Sequence, residues 1–141
     1  MNVFVCMFGG IFLLTLGIKG ELDYTVQKKD TYKSQELGNL DVLSTSSMIY
    51  FMESTVCKSL EDYLEKGLTT VGKTMNIQHF CSTPVGTRVK IESELVKIDG
   101  KILTFEVKAK DPFGVMGAGI HERMIADSQY LTMKAFVKKV E

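Results

Sequence analysis

Three residues of this chain carry groups whose placement could matter chemically: the Glu53 carboxylate and the His79 imidazole, types that together make a general acid/base unit, and the Thr45 hydroxyl at a helix entrance eight residues before Glu53. A hydroxyl becomes a useful nucleophile, or holds an attacking water, only when a base lies within hydrogen-bond reach. Two further positions stand out. Gly72, inside an otherwise strand-like run before His79, either marks a bulge or lets a ligand approach the backbone. Arg123 ends the triplet HER and shares a strand face with His121, while Glu122 takes the other face. A solvated edge strand explains that triplet as well as an anionic-ligand site does. Each residue also has a plain structural role. Thr45 reads as a helix cap, Glu53 as a carboxylate reaching solvent, and His79 as a satisfied core residue.

The elements that must position these groups follow from periodicity. The run STSS, Ser44 to Ser47, offers hydroxyls to cap a helix whose apolar positions begin at Met48 and continue to about Lys66, with Gly67 as its stop. At about 100° per residue, Met48, Ile49, Met52, Val56, Leu60 and Tyr63 form one stripe, with Lys58, Glu61, Asp62 and Glu65 opposite. Glu53 falls at the border of the stripe, where losing water calls for a partner. After Gly67 the period changes to two, and four strands follow one from Gly20 to Val26. Val71, Met75, Ile77 and Cys81 share a face of the first of these four, with His79 in phase, so its ring should face the helix. Carboxylate and imidazole then point into one layer, where each could satisfy the other as an acid/base pair. Asp99-Gly100 predicts a type I′ hairpin turn. Strands over Val89–Leu95, Leu103–Ala109 and Val115–Ala126 complete the set, and Ser128–Val137 predicts a short amphipathic helix. The glycine cluster from Gly114 to Gly119 lacks the strand–turn–helix context of a dinucleotide site.

Composition narrows the classes of function. The 141 residues fit one domain, and 17 basic against 17 acidic residues leave no cationic field for a nucleic-acid backbone. The 3 cysteines are distant from one another, and the 2 histidines are not in metal-ligand spacing. A reducing compartment without a transition-metal site is the expectation. The uncharged apolar leader from Met1 to Ile18 has no preceding positive charge and no clear cleavage site. It reads as a packed strand or an early start, with a membrane anchor through residues 1–18 as the alternative to a cytoplasmic protein. Residues 1–16 are set apart as an extension and 17–141 as the domain.

Strand, long helix and four sequential strands make an α+β layer architecture, an antiparallel five-stranded sheet around one central helix, which resembles the hot-dog fold. From about Gly17 onward the chain resembles the fluoroacetyl-CoA thioesterase-like branch of that superfamily. The carriers are STSSMIYFMESTVC around Thr45 and Glu53, TTVGKTMNIQHFCSTPVGTRV around Gly72 and His79, and GAGIHER ending at Arg123. The resemblance implies a homodimeric acyl-CoA thioester hydrolase with Thr45, Glu53 and His79 as catalytic positions, Gly72 and Arg123 as substrate-binding positions, and active sites near the dimer interface. It implies no cofactor, CoA being part of the substrate. Members that cleave the fluorinated substrate cover the acyl pocket with two phenylalanines. The segment YKSQELGNLDVL has Leu37 and Leu40 there instead, so that specificity does not carry over. The expectation is therefore hydrolysis of short or medium acyl-CoA by a homodimer or higher oligomer, with a hot-dog hydratase or dehydratase, or a non-catalytic acyl-CoA binding module, as alternatives.

Overall fold

The computed structural model describes residues 2–7 and 10–137, with side chains from Leu14 to Val137. Strands β1 (Asn2–Met7) and β2 (Gly10–Thr15) pair antiparallel as a sheet of their own. The side chains that would decide between packed strand and anchor lie mostly outside the described ones. At its end, however, Leu14 is fully buried, and Ile18 joins the same core cluster across the expected boundary at residue 16. No helix among the described residues is long and apolar enough to cross a membrane.

The main sheet is antiparallel and five-stranded: β3 (Lys19–Thr25), β4 (Leu68–His79), β5 (Arg88–Asp99), β6 (Ile102–Asp111) and β7 (Gly114–Asp127), in spatial order β3-β5-β6-β7-β4. The last three of these are joined by tight connections and pair in sequence order. Strand β4 returns to pair with β7 and becomes an edge. At the β5–β6 connection Asp99 pairs with Ile102, so Gly100 and Lys101 form the turn, one position later than expected. Gly100 alone of the two takes positive φ, at 57°, so the turn is not type I′.

Helix α1 (Thr45–Leu60) lies across the inner face, chiefly against β3 and β5. Four positions of the predicted stripe face the core, Ile49 is half-buried at its border, and Phe51 joins the buried face from outside it. Met48, Met52, Val56 and Leu60 are fully buried among Ile91, Leu95, Leu103 and Phe105. Burying each such side chain stabilises the fold by about 1.5–3 kcal/mol. The helix ends earlier than Lys66. Glu61 and Asp62 put negative charge at the negative end of the helix dipole, and the chain tightens into a 3-10 turn over Glu61–Tyr63. Tyr63 therefore leaves the stripe and is exposed. Gly67, at φ 92°, serves the turn into β4 rather than the helix end. Close helix–sheet approach depends on Gly20, where an added Cβ would lie 2.8 Å from the Thr55 carbonyl, and on Gly117, where it would lie 2.5 Å from Met48 Sδ. That packing is what the glycine cluster of β7 contributes.

Two expectations of facing change. The β4–β7 register shifts between Gly72 and Thr74, a bulge that reverses the alternation. Thr70 and Gly72 face inward before it, and Met75, Ile77 and His79 after it, so Val71 is out of phase with Met75. Cys81 lies beyond the strand end and is exposed. Helix α2 (Ser128–Val137) forms as expected but has no buried residue, so it caps no core.

Candidate active site

Thr45 is the first residue of α1, but it does not cap it. Ser44 takes that role, its Oγ accepting the Ser47 amide at 3.1 Å. The Thr45 hydroxyl is thereby free for other contacts, and Oγ1 lies 2.9 Å from Nδ1 of His79. On its other side stands the Tyr32 hydroxyl, also at 2.9 Å. His79 is the last residue of β4, its ring turned inward by the shifted alternation. Its Nε2 is buried and without a hydrogen-bond partner. Burial pushes the His79 pKa down, offset in part by the backbone at Cys81. Burial favours the neutral ring, and an Nδ1 lone pair facing a hydroxyl is what a general base requires.

Glu53 lies two turns along α1, about 12 Å from Thr45 by helix rise. Its carboxylate is half-exposed, as its border position predicts, and Oε2 meets Arg123 Nη1 at 2.8 Å. The same guanidinium donates from Nε to Thr70 Oγ1 at 2.8 Å and from Nη2 to the Thr70 carbonyl at 2.9 Å. Nη1 is also 3.1 Å from His121 Nε2, while His121 Nδ1 is 2.9 Å from the Thr74 carbonyl at the bulge. An arginine has only donors and a carbonyl only accepts, so these two contacts assign His121 as the neutral Nδ1–H tautomer. Burial, foremost, and the Arg123 charge push the His121 pKa down, opposed by the Thr74 carbonyl and Glu53. Gly72 completes the group. A Cβ there would sit 2.8 Å from Glu53 Oε2, so the missing side chain is the space the carboxylate occupies.

The five expected residues thus fall into two groups. Thr45 joins His79, and Glu53 joins Gly72 and Arg123; within the chain Glu53 and His79 are not hydrogen-bonded, since His79 Nδ1 faces Thr45 and Nε2 has no partner. The mutual satisfaction expected of that pair is replaced by a separate ion pair with Arg123. The triplet HER does not lie on a solvated edge. Strand β7 runs between β6 and β4, and His121 and Arg123 are 1% and 5% exposed. That burial also keeps Arg123 from lying open to a CoA phosphate. His121 was visible in the sequence as an inward partner of Arg123. Tyr32 carried no signal, because it lies in a loop with no periodicity.

That loop is itself fixed. Asp30, buried at its base, accepts from Tyr24 Oη at 2.7 Å and the Gln27 amide at 2.8 Å. Burial, then that hydrogen bond, pushes the Tyr24 pKa up to about 12. Gln35 bridges to the helix N-terminus, donating to Ser47 Oγ at 2.7 Å and accepting from Ser46 Oγ at 3.1 Å. Among the described residues no cluster of His, Cys, Asp and Glu is arranged to hold a metal.

Comparison with known proteins bears on the family and the fold. The family model for the fluoroacetyl-CoA-specific thioesterase matches residues 26–129. The fluoroacetyl-CoA thioesterase of Streptantibioticus cattleyicolor is 32% identical over 85 residues, which are 60% of this chain and 61% of that protein. The match therefore spans about three-fifths of the relative's length. A solved structure of the fluoroacetyl-CoA thioesterase FlK superposes with TM-score 0.82 at 26% identity, over 89% of this chain and 97% of that one. A hot-dog-like protein from Thermanaerovibrio acidaminovorans shares the fold, with TM-score 0.81 at 20% identity, over 87% of this chain and 91% of that one.

Proposed function

The chain belongs to the fluoroacetyl-CoA-specific thioesterase family, and from that premise we propose that it hydrolyses short or medium acyl-CoA thioesters to a carboxylic acid and CoA. The observation that carries this reading is the 2.9 Å contact between Thr45 Oγ1 and His79 Nδ1, on a ring whose other nitrogen is buried and unpaired. His79 takes a proton from the Thr45 hydroxyl, or from a water which that hydroxyl holds. The oxygen so activated adds to the thioester carbonyl, the C–S bond breaks, and the proton passes to the departing sulfur; where Thr45 is the attacking group, a water activated by His79 then adds to the acyl-threonine ester, releasing the carboxylic acid and restoring the hydroxyl. Positioned acid/base groups of this kind contribute about 10² to 10⁴ in rate. In this reading the Gly72 backbone donates to the developing oxyanion, and the buried Arg123 serves the substrate site by holding the Glu53 carboxylate in place. No cofactor enters the reaction.

Glu53 reaches the reacting atoms when two copies of the chain combine. Strand β4 is a long edge strand, and such edges pair with other strands unless blunted. If two β4 strands pair antiparallel about a two-fold near the middle of the strand, the Gly72 end of one protomer lies beside the His79 end of its partner. Each site then joins Thr45 and His79 of one chain with Glu53 and Arg123 of the other. A homodimer is the smallest assembly that does this. A cytoplasmic setting suits the reading, since the thiols of Cys57 and Cys81 are free. Residues 17–141 form the working domain and residues 1–16 its extension.

The lack of paired phenylalanines in the segment before Thr45 supports an unfluorinated acyl group. Thiol release from a panel of acyl-CoA thioesters tests the proposal. Wild-type release that collapses in His79→Ala and Glu53→Ala is the expected result. No release from any thioester, or undiminished release by both variants, overturns it.

A further inference from the structure

Tyr32 opens the loop that folds over the N-terminus of α1, and its position is set by the backbone. Its amide donates to the Val42 carbonyl at 3.2 Å and its carbonyl accepts from the Leu37 amide at 2.8 Å. Its side chain is half-buried, and Oη and His79 Nδ1 flank the same atom, Thr45 Oγ1, each at 2.9 Å. A threonine hydroxyl carries one proton. When that proton points to His79, the bond to Tyr32 must be made by a lone pair on Oγ1, with the phenol donating. Phenols are more acidic than aliphatic alcohols, which makes this direction the favoured one.

We propose that Tyr32 is a positioning residue for the hydrolysis: its phenol donates to Thr45 Oγ1 and so turns the Thr45 proton toward His79. The inference rests on the hydrolase reading above. As the proton leaves for Nδ1, charge grows on Oγ1, and the Tyr32 donor meets it from a fixed place, in the manner of an oxyanion donor. The phenol keeps its own proton throughout, so nothing is consumed. The same orientation serves a Thr45 that attacks and a Thr45 that only holds water. The segment that lacks the family's paired phenylalanines thus contributes a hydroxyl to the reacting group instead.

Tyr32→Phe removes one oxygen and leaves the ring and the loop backbone in place. With the full-length protein and the best thioester of the panel, kcat is expected to fall about tenfold, the loss of one good hydrogen bond, with KM within about twofold. In a Thr45→Ala background the same substitution is expected to cost nothing further, because the two residues act as a unit. The second readout needs no turnover. The ring-nitrogen shifts of His79, followed by NMR across pH, are expected to move in Tyr32→Phe. A kcat equal to wild type, or an equal loss with and without Thr45, gives Tyr32 a merely structural role and overturns the proposal. If the wild type hydrolyses no thioester, the function fails separately, and unmoved His79 shifts then reject the Tyr32 chain on their own.

Discussion

Glu53 Oε2 and the α-carbon of Gly72 are so close that the smallest side chain at position 72 would stand 2.8 Å from the carboxylate oxygen. A helix carboxylate and a strand backbone therefore share one space, and the absent Cβ decides where Glu53 points. Gly72→Ala is expected to drive Glu53 off Arg123, lowering thioesterase activity at least tenfold at a stability cost of about 1–3 kcal/mol. Steady-state kinetics beside urea unfolding measure the two. Full activity in a folded Gly72→Ala protein contradicts the shared space.

The two groups of site residues make a complementation experiment decisive. His79→Ala and Glu53→Ala are each expected to lose about 10² or more in kcat. In the homodimer proposed above, mixing them during refolding is expected to give heterodimers in which one site carries both defects and the other neither. Activity of about one quarter of wild type should then return, since about half of the dimers are mixed and half of their sites are intact. Mixing that restores nothing locates each complete site within one chain.

Acid should weaken the fold through its histidines. Both His79 and His121 have pKa values lowered from 6.5, chiefly by burial. The unfolded chain binds protons that the folded one refuses, so stability is full above about pH 6.5 and falls as the pH drops through the ordinary histidine range. Denaturant midpoints measured from pH 8 to 5 should decline over that interval. His121→Asn and His79→Asn should each flatten the decline, and an unchanged slope in both variants would count against the assignment.

Arg123 holds four acceptors, so its replacement should be costly. Arg123→Met leaves Glu53 without its cation and Thr70 and His121 without a donor. The expected loss is about 1–3 kcal/mol, below that of a fully buried pair because Glu53 is half-exposed. Arg123→Lys should recover only part of it, since one ammonium cannot reproduce the fork. Thermal unfolding of the two variants checks the order.

Much of this was legible beforehand, and for physical reasons. Met48, Met52, Val56 and Leu60 recur at helical spacing and face the core, and the strands alternate because a sheet with one buried face must. Glu53 and His79 stood out because each breaks its element's pattern in a direction that sequence can give. What sequence could not give was register. The bulge after Gly72 reset the facing of half of β4, and the pairing of β7 between β6 and β4 moved His121 and Arg123 from a supposed edge into the interior. Ser44 displaced Thr45 as the cap for a similar reason. Four adjacent hydroxyl residues compete for one role, and only three-dimensional contacts assign it.

The loop before α1 is pinched at its neck, where Tyr32 and Lys33 bond the carbonyls of Val42 and Leu40. The side chains of Leu40, at the neck, and Leu37, beyond it, hang outward, exposed. Those two side chains can therefore change in size while the backbone bonds that place Tyr32 and the Gln35 bridge to the helix N-terminus stay as they are. Variation at Leu37 and Leu40 is thereby uncoupled from the hydroxyl of Thr45.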